Sequence, residues 1–143
     1  MIRLELDQDF IDPLERLPRA LVASLQKQLN VEVDGMDGVV AVRYVSDEEI
    51  QRLNREYRKK DQVTDVLAFS YAEDRLHAEE SLGDVAISAA QAKRQAEAGG
   101  VKRELAMLVV HGVLHVLGYD HEKPKEAKQM FAHQDQILDR TLV

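Results

Sequence analysis

Three of the chain's five histidines fall within eleven residues, HGVLHVLGYDH, at positions 111–121. The spacing H-x-x-x-H-x-x-G-x-x-H reads as three ligands for one metal ion. On a helix each residue turns by about 100°, so His111 and His115 stand roughly 40° apart and one turn along the axis. Their rings can face one point, which is how such a helix presents two imidazoles to zinc. Gly118 can adopt a left-handed conformation and end the helix. Tyr119 and Asp120 then carry the chain back, so that His121 can supply a third nitrogen. A single histidine on an apolar helix face is more often a hydrogen-bonded core residue than a ligand. Two at i, i+4, with a third after a glycine stop, favour the ligand reading.

Three protein ligands leave one tetrahedral position for water or substrate, the catalytic pattern. Nitrogen-only ligation suits Zn²⁺, Ni²⁺, Cu²⁺ or Co²⁺ and disfavours Mg²⁺ and Ca²⁺. One zinc ion is the expected cofactor for hydrolysis, since it has no redox chemistry and lowers the pKa of its bound water to about 7. His77, in a charged loop, and His133, in a polar helix, read as solvated surface.

The elements that must position these residues follow from periodicity. IRLELD alternates as a half-buried strand does. Residues 14–29 carry helical spacing, with Leu14, Leu17, Leu21, Val22, Leu25 and Leu29 on one stripe and Pro18 near the first turn or kinking it. VEV and VVAVRYV read as two β pieces separated by the turn signal DGMDG. Ser46 with Glu49 forms a capping box that opens a helix. VTDVLAFSY and LGDVAIS read as strands, with the charged loop AEDRLHAEES between them. SAAQAKRQAEAGG reads as a helix ending at its glycine pair, and residues 101–117 as a long apolar helix ending at Gly118. Pro124 opens a last helix to about Leu142. The order predicts an α+β fold: one mixed sheet packed against several helices, with a zincin-like metal-binding helix.

At 143 residues the chain fits one domain, 1–143, long enough to bury a core without disulfides. With no cysteine, a disulfide framework, a thiolate zinc site and a cysteine nucleophile are excluded, and a reducing cytosol fits. The N-terminus is charged from its third residue and does not read as a signal peptide; no apolar run approaches the roughly 20 residues of a membrane span. A cytoplasmic protein without membrane association is expected. The net charge of −7 argues mildly against coating nucleic acid. The segment RLNREYRKK, 52–60, nevertheless carries five cations against one glutamate and could meet an anionic substrate.

The histidine spacing is that of a metzincin protease, H-E-x-x-H-x-x-G-x-x-H, except that Gly112 stands where the general-base glutamate would. Glycine accepts no proton, so that mechanism is disabled unless another carboxylate stands in. Asp120, Glu122 and Glu104 are near enough in sequence or helical phase to be considered, and read as supports for the ligands or the fold.

HGVLHVLGYDHE resembles the signature of the YbeY family of bacterial metal-dependent endoribonucleases, with Val116 for the usual leucine. LNREYRKKDQVTDVLAFSY and LGDVAIS resemble two further blocks of that family, in the same order, so the likeness covers about 41–139. Lys59 stands where glycine is common, and Ala68 and Ser70 replace a frequent serine and proline. The resemblance implies zinc ligation by His111, His115 and His121, all three in the catalytic site, and a functional role for Arg58. It also implies a mixed sheet with surrounding helices and a metal at one end of a cleft. The implied activity is single-strand-specific cleavage of ribosomal RNA, notably in 16S rRNA 3′-end maturation and ribosome quality control. Ribosomal RNA and the ribosome or small-subunit proteins are the implied partners.

The residues themselves fit an anionic phosphodiester. Arg58 offers planar donors to two phosphate oxygens, Lys60 a point charge, and Arg55 and Lys59 complete an RNA-binding run. For a single arginine at a helix end, favourable interaction with the helix dipole is the ordinary explanation; the neighbouring cations strengthen the functional one. Asp61 and Asp65 are candidates to orient the arginine or cap the strand entry, Thr64 reads as structural, and Asp84 as a turn residue. Two rival functions share the motif: a non-catalytic, metal-stabilised ribosome assembly factor, and a metzincin-like metalloprotease.

Overall fold

A computed structural model describes residues 1–71, 81–96 and 100–142. His77 and most of the charged loop around it lie outside the described residues. The strands are β1 (Ile2–Asp7), β2 (Gly38–Val45), β3 (Val66–Ser70) and β4 (Ser81–Ser88). The helices are α1 (Arg19–Glu32), α2 (Asp47–Arg58), α3 (Ala89–Gln95), α4 (Gly100–Val116) and α5 (Pro124–Thr141). The sheet order is β1-β2-β4-β3, with β1, β2 and β4 parallel and β3 antiparallel on the edge beside β4. The fold is therefore α+β with a mixed four-stranded sheet, as the pattern of elements predicts.

Alternation along the strands divides the apolar residues between two faces. Ile2, Val40, Val42, Val85 and Ile87 join the main core with α1, α3, α4 and α5. Val45, Leu67 and Ala86 form a smaller cluster with Ile50 and Leu53 of α2. The period of two in a strand requires this split. Each fully buried Leu, Ile or Val contributes about 1.5–3 kcal/mol relative to exposure. With nine buried residues, α4 is anchored well enough to carry two half-buried imidazoles.

Several sequence expectations are corrected. The helix predicted over 14–29 begins only after Pro18, which occupies its N-cap, while Pro13–Glu15 form a short 3₁₀ turn. Leu14 consequently leaves the stripe and is 83 % exposed. VEV is not a strand: Val31 and Glu32 complete α1, and Val33 caps it. DGMDG thus links a helix to β2, and β1 and β2 run parallel through the α1 crossover. The helix continued because its leucine spacing persisted, against the weak β preference of two valines. α3 stops at Gln95, ahead of the glycine pair. Asp84 lies within β4 opposite Phe69 and accepts a hydrogen bond from the Tyr71 hydroxyl, rather than making a turn. His133 is no free surface residue: its Nδ1 is 2.5 Å from Oε1 of Glu32, whose other oxygen takes Arg140 at 3.2 Å.

α4 approaches the sheet closely at Gly112. A Cβ there would stand 2.5 Å from Val85 Cγ1 and 3.1 Å from Val66 Cγ2. Both neighbours are β-branched and stiff. Overpacking costs about 1–3 kcal/mol, against the roughly 1 kcal/mol alanine gains over glycine in a helix. Gly112→Ala is therefore expected to lower stability by up to about 2 kcal/mol, visible as a lower denaturant midpoint with an unchanged slope; an unchanged midpoint would contradict the close packing.

Candidate metal centre and cleft

The C-terminal turn of α4 brings the histidines together. Tyr119 N–H donates to Leu114 O and Gly118 N–H to His115 O, both at 3.0 Å, with Gly118 at φ +103°. That is the Schellman pattern, which only glycine adopts at no cost. Asp120 Oδ1 then accepts from the His121 backbone N–H at 2.6 Å and fixes the reversal. As a result one ring nitrogen from each of His111, His115 and His121 lies within 4.8 Å of the others. The imidazole centroids are 4.7 Å (111–115), 4.9 Å (115–121) and 5.5 Å (111–121) apart.

The protonation chemistry suits a metal. Burial pushes the His111 imidazole below its usual range, helped by the neighbouring His121 and opposed by a hydrogen bond to Gln134. His115 is pushed down to about 4, first by burial and then by the charges of His111 and His121. Neutral imidazoles are what a metal requires. Gln134 Oε1 lies 2.9 Å from His111 Nδ1. An amide oxygen only accepts, so Nδ1 carries the proton and Nε2 keeps its lone pair for an ion. Three convergent ring nitrogens, two of them on imidazoles that burial holds neutral, fit a zinc-type ion. Among the described residues no fourth acidic or histidine side chain joins them.

Gln134 is buried on α5 and escaped the sequence reading. Its one signal is that it interrupts the apolar stripe of Met130, Ile137 and Leu138. Gln134→Leu is expected to weaken metal affinity by roughly 10–100-fold through loss of ring orientation, measured by competition with a zinc chelator. Wild-type affinity in that variant would remove the role given to the amide.

The triad lines one cleft of 690 Å³ together with Arg58, Asp65 and Ala68. Arg58 ends α2, and its Nη2 donates to the Ala68 carbonyl on β3. Its guanidinium carbon stands 5.5 Å from the Phe69 ring centroid. Among the described residues the Ala68 carbonyl is its one hydrogen-bond partner, which leaves four N–H donors for a ligand. Neither Asp61 nor Asp65 orients it. Asp61 pairs with Arg55 at 3.3 Å, and Asp65 accepts from Gln95 Nε2 at 2.9 Å. Arg52 is likewise held by Glu49 and Glu56. Of the RNA-binding residues read from the sequence, Arg58 faces the cleft, whereas Arg55, Lys59 and Lys60 are exposed outside its lining.

Lys59 has φ +61°, the left-handed region that favours glycine, which accounts for glycine's being usual at this helix end. Asn54, buried and also missed from sequence, holds the following loop by donating to Gln62 O at 2.9 Å and accepting through its backbone carbonyl from Lys60 N–H at 3.2 Å.

Comparisons with known proteins agree with this geometry. The family model described as Endoribonuclease YbeY matches residues 4–142. The Endoribonuclease YbeY of Bacillus licheniformis is 42% identical over 146 residues, covering 92% of each chain. That of Carboxydothermus hydrogenoformans is 44% identical over 133 residues, covering 92% of this chain and 90% of its own. The solution structure of TM1509 from Thermotoga maritima superposes with a TM-score of 0.65 at 31% identity, over 99% of this chain and 89% of that one. With a glycine-terminated helix, a three-imidazole cluster and near full-length likeness all in agreement, the chain belongs to the YbeY endoribonuclease family.

Proposed function

We propose that this chain is a zinc-dependent, single-strand-specific endoribonuclease acting in ribosomal RNA maturation, notably at the 16S rRNA 3′ end, and in ribosome quality control. Its setting is the cytoplasm, beside the ribosome or small-subunit proteins. Among the described residues, no helix is long and apolar enough to cross a membrane. The observation that carries the reading is one cleft lined by both the imidazole triad and the Arg58 guanidinium. Its volume lies in the range that receives a nucleotide-sized group rather than a duplex.

In this mechanism His111, His115 and His121 hold the ion. When bound, zinc supplies Lewis acidity at a phosphoryl oxygen and acidifies a bound water. Arg58 supplies the second positive charge. Its bond to the Ala68 carbonyl fixes the plane of the fork before substrate arrives, so its other N–H groups meet the phosphate without reorganisation. Phe69 under the guanidinium excludes water from one side and strengthens that field. Gln134 keeps the His111 proton on Nδ1 throughout.

The protease alternative lacks its glutamate at position 112, where a Cβ would already stand 2.5 Å from Val85 Cγ1. Zinc-loaded protein is expected to cut single-stranded ribosomal RNA and to leave duplex RNA and casein intact in parallel assays. Cleavage of casein with RNA untouched would overturn the proposal.

A further inference from the structure

Phe131 lies on α5 at the edge of the histidine cluster and is 43% exposed. A lone exposed aromatic ordinarily needs no explanation. This one is set apart by its alignment. Its ring lies 7° from parallel with His121 and 25° from parallel with His111, with both centroids 6.2 Å away. That is an offset stack, which carries the planar surface of the imidazoles outward along α5. The neighbouring Met130 is fully buried, so the helix is anchored while its next side chain faces solvent. Lys128 and Asp135, both exposed, share its helix face one turn before and one turn after.

We infer that Phe131 is a substrate-binding residue, the platform on which one nucleobase of single-stranded RNA stacks next to the scissile phosphate. The inference rests on the endoribonuclease reading and adds a contact to it. A planar π face accepts any base, so the contact gives affinity for single strands with little sequence preference. A paired base has both faces covered by its neighbours in the helix, so the same contact disfavours duplex. With the base on Phe131, the cation at Lys128 draws the backbone toward that end of α5 and Asp135 repels it from the other. The strand then has a direction across the site. The alternative is that Phe131 merely shields the imidazoles from water; any apolar side chain of similar bulk would serve that purpose.

The two roles separate experimentally. Zinc-loaded wild type, Phe131→Leu and Phe131→Tyr are compared for zinc content, for KM and kcat on a single-stranded RNA, and for quenching of a 2-aminopurine base in that RNA on stopped-flow mixing. Loss of one base stack corresponds to a rise in KM of roughly five- to a hundredfold. Phe131→Leu is expected to show that rise, lose the quenching and keep its zinc, with kcat moving far less than KM. Phe131→Tyr is expected to restore both KM and quenching. Leucine matching wild type in KM and quenching overturns the inference and leaves the nuclease reading standing. A wild type that neither binds nor cuts the single strand overturns both.

Discussion

Replacing His111 with alanine is expected to abolish zinc uptake and RNA cleavage together while the protein stays folded. His111 has both a ligand atom in the cluster and a proton partner in the buried side chain of Gln134. Its loss leaves two nitrogens, one of them on an exposed residue outside α4. A partner that merely orients a ligand is worth roughly 10–100-fold in metal affinity, and removing the ligand itself should exceed that. The truncation leaves buried Gln134 facing a void, at a stability cost of about 1–3 kcal/mol. Circular dichroism and zinc stoichiometry distinguish the effects. Full zinc occupancy in folded His111→Ala would mean that the ion sits elsewhere.

Arg58→Ala is expected to leave zinc occupancy unchanged and to lower cleavage by roughly 100- to 1,000-fold, the usual loss on removing one preorganised donor. The separation follows from placement. Arg58 touches Ala68 and Phe69, whereas the imidazoles are held by the α4 terminus and Gln134. Arg58→Lys is expected to recover little, because a single ammonium cannot both hold the Ala68 carbonyl and fork onto a phosphate. If Arg58→Ala cuts RNA at the wild-type rate, the guanidinium has no part in the reaction. If the variant loses its zinc, the cleft is a single coupled unit and the division of labour is wrong.

The convergence of the three imidazoles was legible because helix geometry is local. A period of 3.6 and one glycine are enough to aim His111, His115 and His121 at a common point. The Ser46 cap was legible for the same reason, and its side chain does accept from Glu49 N–H at 3.1 Å. Gln134 was not legible, since its partner is 23 positions away and only the packing of α5 on α4 joins them. The basic run 52–60 misled in degree: counting cations cannot show that Arg52 and Arg55 are already engaged by Glu49, Glu56 and Asp61. The pairing of β1 with β2 was hidden by two valines that read as strand but finish a helix. His133 illustrates the same limit, because its carboxylate partner Glu32 sits on another helix, about a hundred positions upstream.

The contact between Gly112 and Val85 also bears on how such a chain could change its chemistry. Peptide-cutting relatives in ligand spacing hang a glutamate from this helix position. Here a point mutation that placed one would press its Cβ against Val85 and Val66. To admit the larger side chain, α4 would have to lift from β3 and β4, and the first two imidazoles would ride outward with it, away from the guanidinium on the facing wall. The spacing of one helix from one sheet thus sets which polymer's backbone the site can serve, and an evolutionary path between the two activities would have to rebuild the sheet surface before it touched the ligands.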